Sequence, residues 1–235
     1  MSDTDQVNFG RPMPLFPLPG LVLMPHGIVP LHIFEPRYRQ LVGDVLDGER
    51  QFAVAMYEHE DDVAKRDPGS RPPLRPVVCI GQILHAEQTP DGRYALMLQG
   101  LCRARILHEA PSEEGRLYRS AFLMPLEIAE PDESKLEGFR RRIVGAMESD
   151  RLADLRDADK FLEHLKDPAI PTSMILEVLG FTYLTDSELR YRLLASDDPI
   201  ERAALLSEEL MRIQQLLRRA APQRAVEAPK GVCWN

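Results

Sequence analysis

Two glycines with the spacing of a phosphate-binding loop are the first place where chemistry could be expected. Gly43 and Gly48 fit the pattern G-x-x-x-x-G, in which backbone N–H groups cradle a nucleotide's phosphates. That loop requires a lysine and a hydroxyl residue directly afterwards, but Glu49 and Arg50 occupy those positions. Both glycines also fall within a helical pattern rather than in a loop between a P-loop strand and its helix. We therefore expect no nucleotide site here.

The histidines and acidic residues show no spacing typical of a catalytic or metal site. His59 lies in the acidic run 58–62, which could in principle hold a hard cation or zinc but is more typical of a solvated loop. His26 and His32 lie among prolines and apolar residues, which favours structural roles over a general base. The motifs G-x-S-x-G and H-E-x-x-H are both missing. The sequence thus predicts no catalytic residue, no metal and no cofactor.

Composition narrows the choice of partners and compartment. The 235 residues include 29 basic and 37 acidic side chains, a net charge of −8, which disfavours non-specific binding to nucleic acid or anionic membranes. Three cysteines without a C-x-x-C pair favour reduced thiols. The polar start MSDTDQVN does not fit a signal peptide, and no apolar run approaches the ~18–20 residues of a membrane helix. We expect a cytoplasmic protein.

Proline divides the chain into two halves of different structure. Fifteen of the 20 prolines precede residue 132, and proline breaks helix interiors, so the first half should be strands and loops. One helix should interrupt them, starting at Pro36 and ending near Gly48. A proline- and acid-rich loop should span 58–76, and the turn Thr89–Gly92 should join two long strands. Strands are predicted at Met13–Leu18, Gly27–Phe34, Gln51–Tyr57, Val77–Gln88, Arg93–His108 (with a bulge at Gly100) and Leu117–Ile128.

The second half shows helical spacing and several helix-capping signals. Apolar residues repeat at helical intervals between Leu136 and Met147, and shorter helices are predicted at Asp157–Lys166 and Thr172–Leu179, the latter ended by Gly180. Thr185–Glu188 resembles a capping box, and Asp198 with Pro199 should start the last helix. The run Arg140–Arg142 spreads around its helix, which favours a solvated or ion-paired cluster over nucleic-acid contact.

The residues from Pro14 to Val42 carry a family resemblance. Their sequence, PLFPLPGLVLMPHGIVPLHIFEPRYRQLV, resembles the opening of the Lon N-terminal domain family, and most closely its stand-alone bacterial members. Further stretches fit the same pattern, so that the resemblance covers about residues 13–219: Ile80–Ile83, Asp91–Arg93, Gln99–Ile106 and Leu194–Leu206.

The resemblance implies an α+β fold with two parts. A PUA-like β pseudobarrel with one inserted helix would occupy residues 13–129, and a helical bundle would occupy 130–219. A flexible N-terminus, 1–12, and a loose tail, 220–235, would flank them. In full-length Lon proteases this domain recognises protein substrates, while separate ATPase and Ser-Lys protease domains do the chemistry. Neither machinery is found in these residues, so we expect a non-enzymatic binding module, acting in protein quality control or as an adaptor.

The partner would be an unfolded or extended protein segment, or a separate protein partner, held in a groove or along an open strand edge. Candidate groove residues are Glu35, Arg37 and Tyr38 at the strand–helix junction, with Gln99, Gly100 and Arg103 around the predicted bulge. The alternative for the junction is an internal ion pair that caps the helix. The loop 58–76 could be a contact arm or simply disordered, and the chain could be a monomer or a dimer.

Two other functions stay open at this stage. The PUA-like comparison suggests RNA or small-ligand binding, which the net charge and the lack of an RNP-type aromatic pair oppose. An enzyme with an unrecognised site would need a buried cleft that combines His32 or His85 with a carboxylate.

Overall fold

The computed structural model of the chain describes residues 7–59, 71–126, 132–148 and 158–224. These residues form six strands and six α-helices, which confirms the predicted α+β class. The chain divides into two compact units, Met1–Pro131 with Glu177–Asp197 and Asp132–Leu176 with Asp198–Asn235. The first boundary is close to the predicted one at residues 129–130. Glu177–Asp197, in contrast, falls in the unit with the sheet rather than with the other helices.

The sheet of the first unit is a ring of five strands with a sixth strand outside it. Its hydrogen-bonded order is β2-β5-β4-β3-β1-β6, and β6 pairs in turn with the C-terminal half of β5. This last pairing closes the ring, while β2 runs along the N-terminal half of β5. The strands are β1 Met13–Leu18, β2 Ile28–Ile33, β3 Gln51–Met56, β4 Val77–Gln88, β5 Tyr94–Glu109 and β6 Ser120–Pro125.

The predicted bulge is present beside Gly100. Ile80 pairs with Cys102 while Gly81 pairs with Gly100, so Leu101 is the extra residue on β5. The Gly100 N–H donates to the Gly27 carbonyl (2.9 Å), and the Gly100 carbonyl accepts from His26 N–H (2.8 Å). This close approach leaves no room for a side chain at Gly100, where a Cβ would lie within 2.8 Å of the Met24 carbonyl carbon.

The inserted helix, α1 Pro36–Leu46, is present as predicted, and its buried face joins the core cluster of the first unit. Proline at its first position has no N–H to leave unsatisfied, and its buried face follows helical spacing through Tyr38, Leu41, Val42 and Val45. The turn that follows differs from the prediction. Gly48 N–H does donate to the Val45 carbonyl (3.1 Å), but the residue with left-handed backbone is Arg50, at φ 62°.

Segments predicted to be loose are partly packed. Within the expected flexible N-terminus, Val7 is buried and Phe9 packs against an apolar cluster. Residues 60–70 of the predicted loop lie outside the described residues, but the ends of the loop pair with each other: Glu58 N–H donates to the Pro73 carbonyl (3.0 Å) and Arg75 N–H to the Met56 carbonyl (2.9 Å).

The helices after the sheet follow the predicted order with two corrections. Gly180 does not end its helix, which continues to Tyr183, because Gly180 serves close packing instead: a Cβ there would lie 3.0 Å from Leu193 Cδ1. The next helix is capped by Asp186 rather than Thr185, and the Asp186 carboxylate accepts the Leu189 N–H. The helices are α2 Glu137–Met147, α3 Ala158–Lys166, α4 Thr172–Tyr183, α5 Ser187–Ala195 and α6 Pro199–Arg224.

In the second unit, two charged side chains form hydrogen bonds with backbone groups at helix ends. The Arg140 guanidinium donates to the carbonyls of Leu165 (2.7 Å) and Ile170 (2.8 Å), near the end of α3. Arg140 therefore stabilises this turn by a charge–dipole interaction and does not serve as a nucleic-acid contact. The Glu133 carboxylate accepts the Thr172 N–H (2.6 Å) and the Ser173 N–H (3.1 Å) at the start of α4.

The last helix starts at the predicted cap but extends further than predicted. Asp198 Oδ1 accepts the Ile200 N–H (2.8 Å), as the predicted cap requires. The helix extends to Arg224, five residues beyond the predicted end at 219. The predicted tail from residue 225 onward lies outside the described residues.

Candidate functional site

An exposed apolar face on β2 and its neighbours is the most distinctive surface of the first unit. Along β2, Ile28, Pro30 and His32 are exposed, while the alternating Val29, Leu31 and Ile33 pack against the core. This alternation follows from the two-residue period of a strand. One side of β2 thus helps to build the core, and the other side carries apolar side chains into solvent.

The same exposed face continues across β5 and β4. Pro30 pairs with Met97, and Met97 pairs with His85, so these three side chains form one row across the sheet. We call the exposed apolar residues of this face and its end the β2 surface. Its members, with their exposed fractions, are Ile28 (46%), Phe34 (59%), Leu84 (49%) and Met97 (37%).

β2 also lies at an edge of the sheet. Among the described strands it pairs with β5 alone, along Ile28–Ile33. Exposed edge strands offer unpaired N–H and C=O groups to another chain. Edge strands are the usual place for proline in sheets. Pro30 removes one backbone N–H from β2, and this partly protects the edge against uncontrolled pairing.

The strand–helix junction that the sequence singled out is held by internal contacts. Arg37 Nε donates to Glu35 Oε2 (2.9 Å), and the Arg37 guanidinium stacks over the Tyr38 ring at 4.3 Å. The Tyr38 hydroxyl donates to the Pro17 carbonyl. Burial raises the pKa of Tyr38 far above its ordinary value, so the neutral phenol donates at any physiological pH. Glu35 and Arg37 keep about a third of their side chains exposed, whereas Tyr38 is buried.

Of the residues near the bulge, Gln99 alone is part of an accessible surface. It pairs with Ile28 on one side and Gln82 on the other, so it shares a row with the β2 surface. Gly100 is buried under the turn that contains Met24.

Arg103 is fully enclosed and anchors the two helices that pack with the sheet. Its Nη2 lies 2.6 Å from Glu177 Oε2 on α4, and its Nε donates to the Leu194 carbonyl (3.1 Å) on α5. The Arg103 and Glu177 side chains are only 1% and 5% exposed. The six candidate residues therefore do not line one groove: Gln99 lies on the β2 surface, Glu35 and Arg37 follow its Phe34 end, and the other three are internal.

The exposed half of β2 is not among the predicted site residues, although the sequence carries a signal for it. Ile28 and Phe34 lie in the predicted strand Gly27–Phe34. Met97 alternates with Leu96 and Leu98 in the predicted strand Arg93–His108, which places it on the opposite face from them. Because both faces of β2 are apolar, one of them had to be left either in solvent or against a partner.

The structure does not form the buried cleft that an unrecognised enzyme would require around His32 or His85. Both side chains are exposed on the outer face of the sheet. In the described part of the chain, no group of three or more His, Cys, Asp or Glu side chains is arranged to hold a metal ion. Nor does any described helix have the length and apolar character needed to cross a membrane.

Comparison with solved structures defines the class of fold. The N-terminal domain of a Mycobacterium avium complex Lon protease superposes with a TM-score of 0.62 at 17% identity, covering 86% of this chain and 98% of that one. A Lon N-terminal domain protein from Xanthomonas campestris gives a TM-score of 0.57 at 22% identity, over 83% and 96% of the two chains. The fold is that of a Lon N-terminal domain.

Sequence comparison then gives the family. Residues 12–212 match the model of the ATP-dependent protease La (LON) substrate-binding domain, and the chain belongs to this family. The Lon protease of Trichlorobacter lovleyi is 25% identical over 221 residues, which is 91% of this chain and 25% of that protein. The Lon protease of Desulfovibrio desulfuricans is 23% identical over 206 residues, or 85% and 22%. The chain thus spans about a quarter or less of the curated relatives it matches.

Proposed function

We propose that this chain is a non-enzymatic module that holds extended, apolar segments of other polypeptides on the β2 surface. The observation that carries this proposal is the exposed apolar face of an edge strand, where side-chain contacts and backbone pairing are available together. Its membership of a substrate-binding domain family supports the same reading. Gln99, Glu35 and Arg37 would contact the segment at the border of the surface.

The expected affinity follows from the exposed side chains. Fully burying an Ile, Leu, Met or Phe side chain contributes about 1.5–3 kcal/mol. The four members of the β2 surface are each about half exposed, so covering them contributes roughly 3–6 kcal/mol in total. Ordering an extended segment offsets part of this gain. The binding should therefore be weak and transient, as suits a module that captures many sequences and releases them.

A role follows from this chemistry. We propose that the captured segments belong to unfolded proteins and that the chain acts as an adaptor in protein quality control in the cytoplasm. Matches to Lon proteases support the link to degradation. Cys79 and Cys102 are buried and form no disulfide in the described structure, which suits a reducing compartment.

The test uses a fluorescein-labelled peptide of ten residues in which Leu or Val alternates with Ser or Thr, followed by anisotropy. The double variant Ile28→Ser/Met97→Ser should weaken binding about tenfold or more, since roughly 1.4 kcal/mol corresponds to a factor of ten. The matched control, Leu107→Ser/Met124→Ser, removes two exposed apolar residues of the same unit that lie outside the β2 surface. It should change binding less than twofold.

Two outcomes would contradict the proposal. One is an equal loss of peptide binding in both double variants, which would indicate non-specific hydrophobic binding to any exposed apolar residue. The other is peptide binding that weakens steeply with salt together with tight tRNA binding, which would favour the RNA-binding alternative.

A further inference from the structure

A small cleft lies on the first unit, formed by three chain segments away from the β2 surface. Its volume is about 160 Å³, and its walls come from the start of β1, the end of α1 with the turn after it, and Tyr118. Pro12, Pro14 and Val45 provide apolar walls. An apolar cavity of about 150 Å³ is large enough to hold benzene, so this cleft matches a group of about four to six carbon atoms.

Arg50 in this cleft has two unusual properties. Its backbone is left-handed, at φ 62°, a conformation that residues with a Cβ rarely adopt and that glycine adopts freely. Its Nε is shielded from solvent and has no hydrogen-bond partner in the described structure. Capping does not explain the side chain, because the Val45 carbonyl at the helix end already accepts the backbone N–H groups of Gly48 and Arg50.

The other charged groups of the cleft have partners. Arg11 forms an ion pair with Glu49, and Asp44 Oδ2 accepts the Tyr118 hydroxyl at 2.8 Å. The two guanidinium groups and the two carboxylates of the cleft give it a net charge of zero before a ligand binds. A singly charged anion can therefore enter, whereas a dianion such as phosphate would leave a net charge of −2 beside two carboxylates.

From these features we infer that the cleft binds a carboxylate that carries a short apolar group, with the Arg50 guanidinium as its anchor. Because Arg50 Nε is shielded from solvent, the carboxylate would be held end-on by two parallel N–H···O bonds from the terminal Nη1 and Nη2 of the planar guanidinium, and the proline and valine walls would cover the apolar group. Two sources share this chemistry: a free short-chain acid and the C-terminal residue of a polypeptide. The inference is independent of the β2 surface.

The experiment is an NMR titration of the full chain, observed through backbone amides and arginine Nε–H signals. The probes are isovalerate, its neutral amide isovaleramide, N-acetyl-leucine and N-acetyl-leucinamide. Isovalerate has seven non-hydrogen atoms, for which a Kd of about 1 mM is reasonable. Each amide should bind at least tenfold more weakly than its acid, and the Arg50 Nε–H signal should shift with the acids.

Two glycine substitutions make a matched pair. Arg50→Gly removes the guanidinium and relieves the left-handed backbone, so it should fold and bind the acids at least tenfold more weakly. His26→Gly gives the same backbone relief at the other non-glycine residue with positive φ (62°) in the described part of the chain, and it should leave binding unchanged.

The acid that binds more tightly identifies the source, isovalerate for a free acid and N-acetyl-leucine for a polypeptide C-terminus; either result supports the inference. It is overturned if neither acid gives a saturable shift, if the amides bind as well as the acids, or if Arg50→Gly binds like the unsubstituted chain.

Discussion

The buried ion pair between Arg103 and Glu177 offers the sharpest test of how the first unit is held together. Its charged atoms lie 2.6 Å apart, and the two side chains are 1% and 5% exposed. Replacing Glu177 with Ala would leave the Arg103 guanidinium enclosed, with backbone carbonyls such as that of Leu194 (3.1 Å) as its remaining acceptors.

The expected magnitude follows from that burial. Removing one partner of a buried ion pair costs about 3–5 kcal/mol, because the remaining charge is uncompensated. For a chain of this size, each kcal/mol lowers Tm by about 2–4 °C, so Glu177→Ala should lower Tm by roughly 6–20 °C. The double variant Arg103→Met/Glu177→Leu should recover at least ~2 kcal/mol of this loss, since apolar replacement of a whole buried pair is often close to neutral.

The assay is urea unfolding followed by circular dichroism at about 222 nm, with a double-mutant cycle over the four chains. Urea adds no salt and so leaves charge interactions unscreened. The matched control is Glu188→Ala, which breaks the pair between Arg75, in the loop before β4, and Glu188 on α5. Because Glu188 is 60% exposed, its loss should cost no more than about 1 kcal/mol.

One result would refute this reasoning. If Glu177→Ala costs less than about 1 kcal/mol and is indistinguishable from Glu188→Ala, then Arg103 does not depend on Glu177.

Two further predictions concern backbone packing and pH. Gly100→Ala should destabilise the chain by about 3 kcal/mol or more in urea unfolding, because the new Cβ would meet the rigid Met24 carbonyl; Gly145→Ala, with open space on a helix, should instead stabilise it by up to ~1 kcal/mol. Glu133→Gln should cost about 1 kcal/mol at pH 7. Burial raises the pKa of Glu133, but hydrogen bonds from Ser173 and its neighbour outweigh burial and lower it. The stabilisation is therefore complete above the ordinary glutamate pKa and is lost as pH falls through the lower folded pKa; a difference between the two chains that persists at pH 2 would contradict the cap.

Much of the secondary structure could be predicted because its signals are local. Val77–Gln88 was predicted as a strand from its apolar residues and appears with those bounds. The turn that joins it to β5 closes as expected, with Gly92 N–H donating to the Thr89 carbonyl (2.8 Å). Asp198 and Pro199 start α6 as predicted, since a cap involves residues within one turn of each other. The α+β class likewise follows from such patterns, whereas the family rests on the resemblance of residues 14–42 to the Lon N-terminal domain and on the family match.

The candidate site was less accessible to prediction because exposure is not a local property. On β5, Arg103 and Arg105 alternate with apolar residues, a pattern typical of a solvent-facing side. Arg105 is exposed, but Arg103 is covered by a helix pair whose Glu177 lies 74 residues further along the chain. Gly180 resembled a helix stop for the same reason: its contact with Leu193 exists only after α4 and α5 pack together.

The amino-acid sequence alone determined most of the helices and strands and carries the Lon-type signature of residues 14–42. It also shows no recognisable catalytic motif. Only the tertiary structure decided which apolar side of β2 remains in solvent and which arginines are anchors. In the turn after α1, it also placed left-handed backbone at Arg50 rather than at Gly48. The reason is that strand period, helix spacing and caps act over a few residues, whereas burial and charge pairing depend on contacts between segments far apart in the chain.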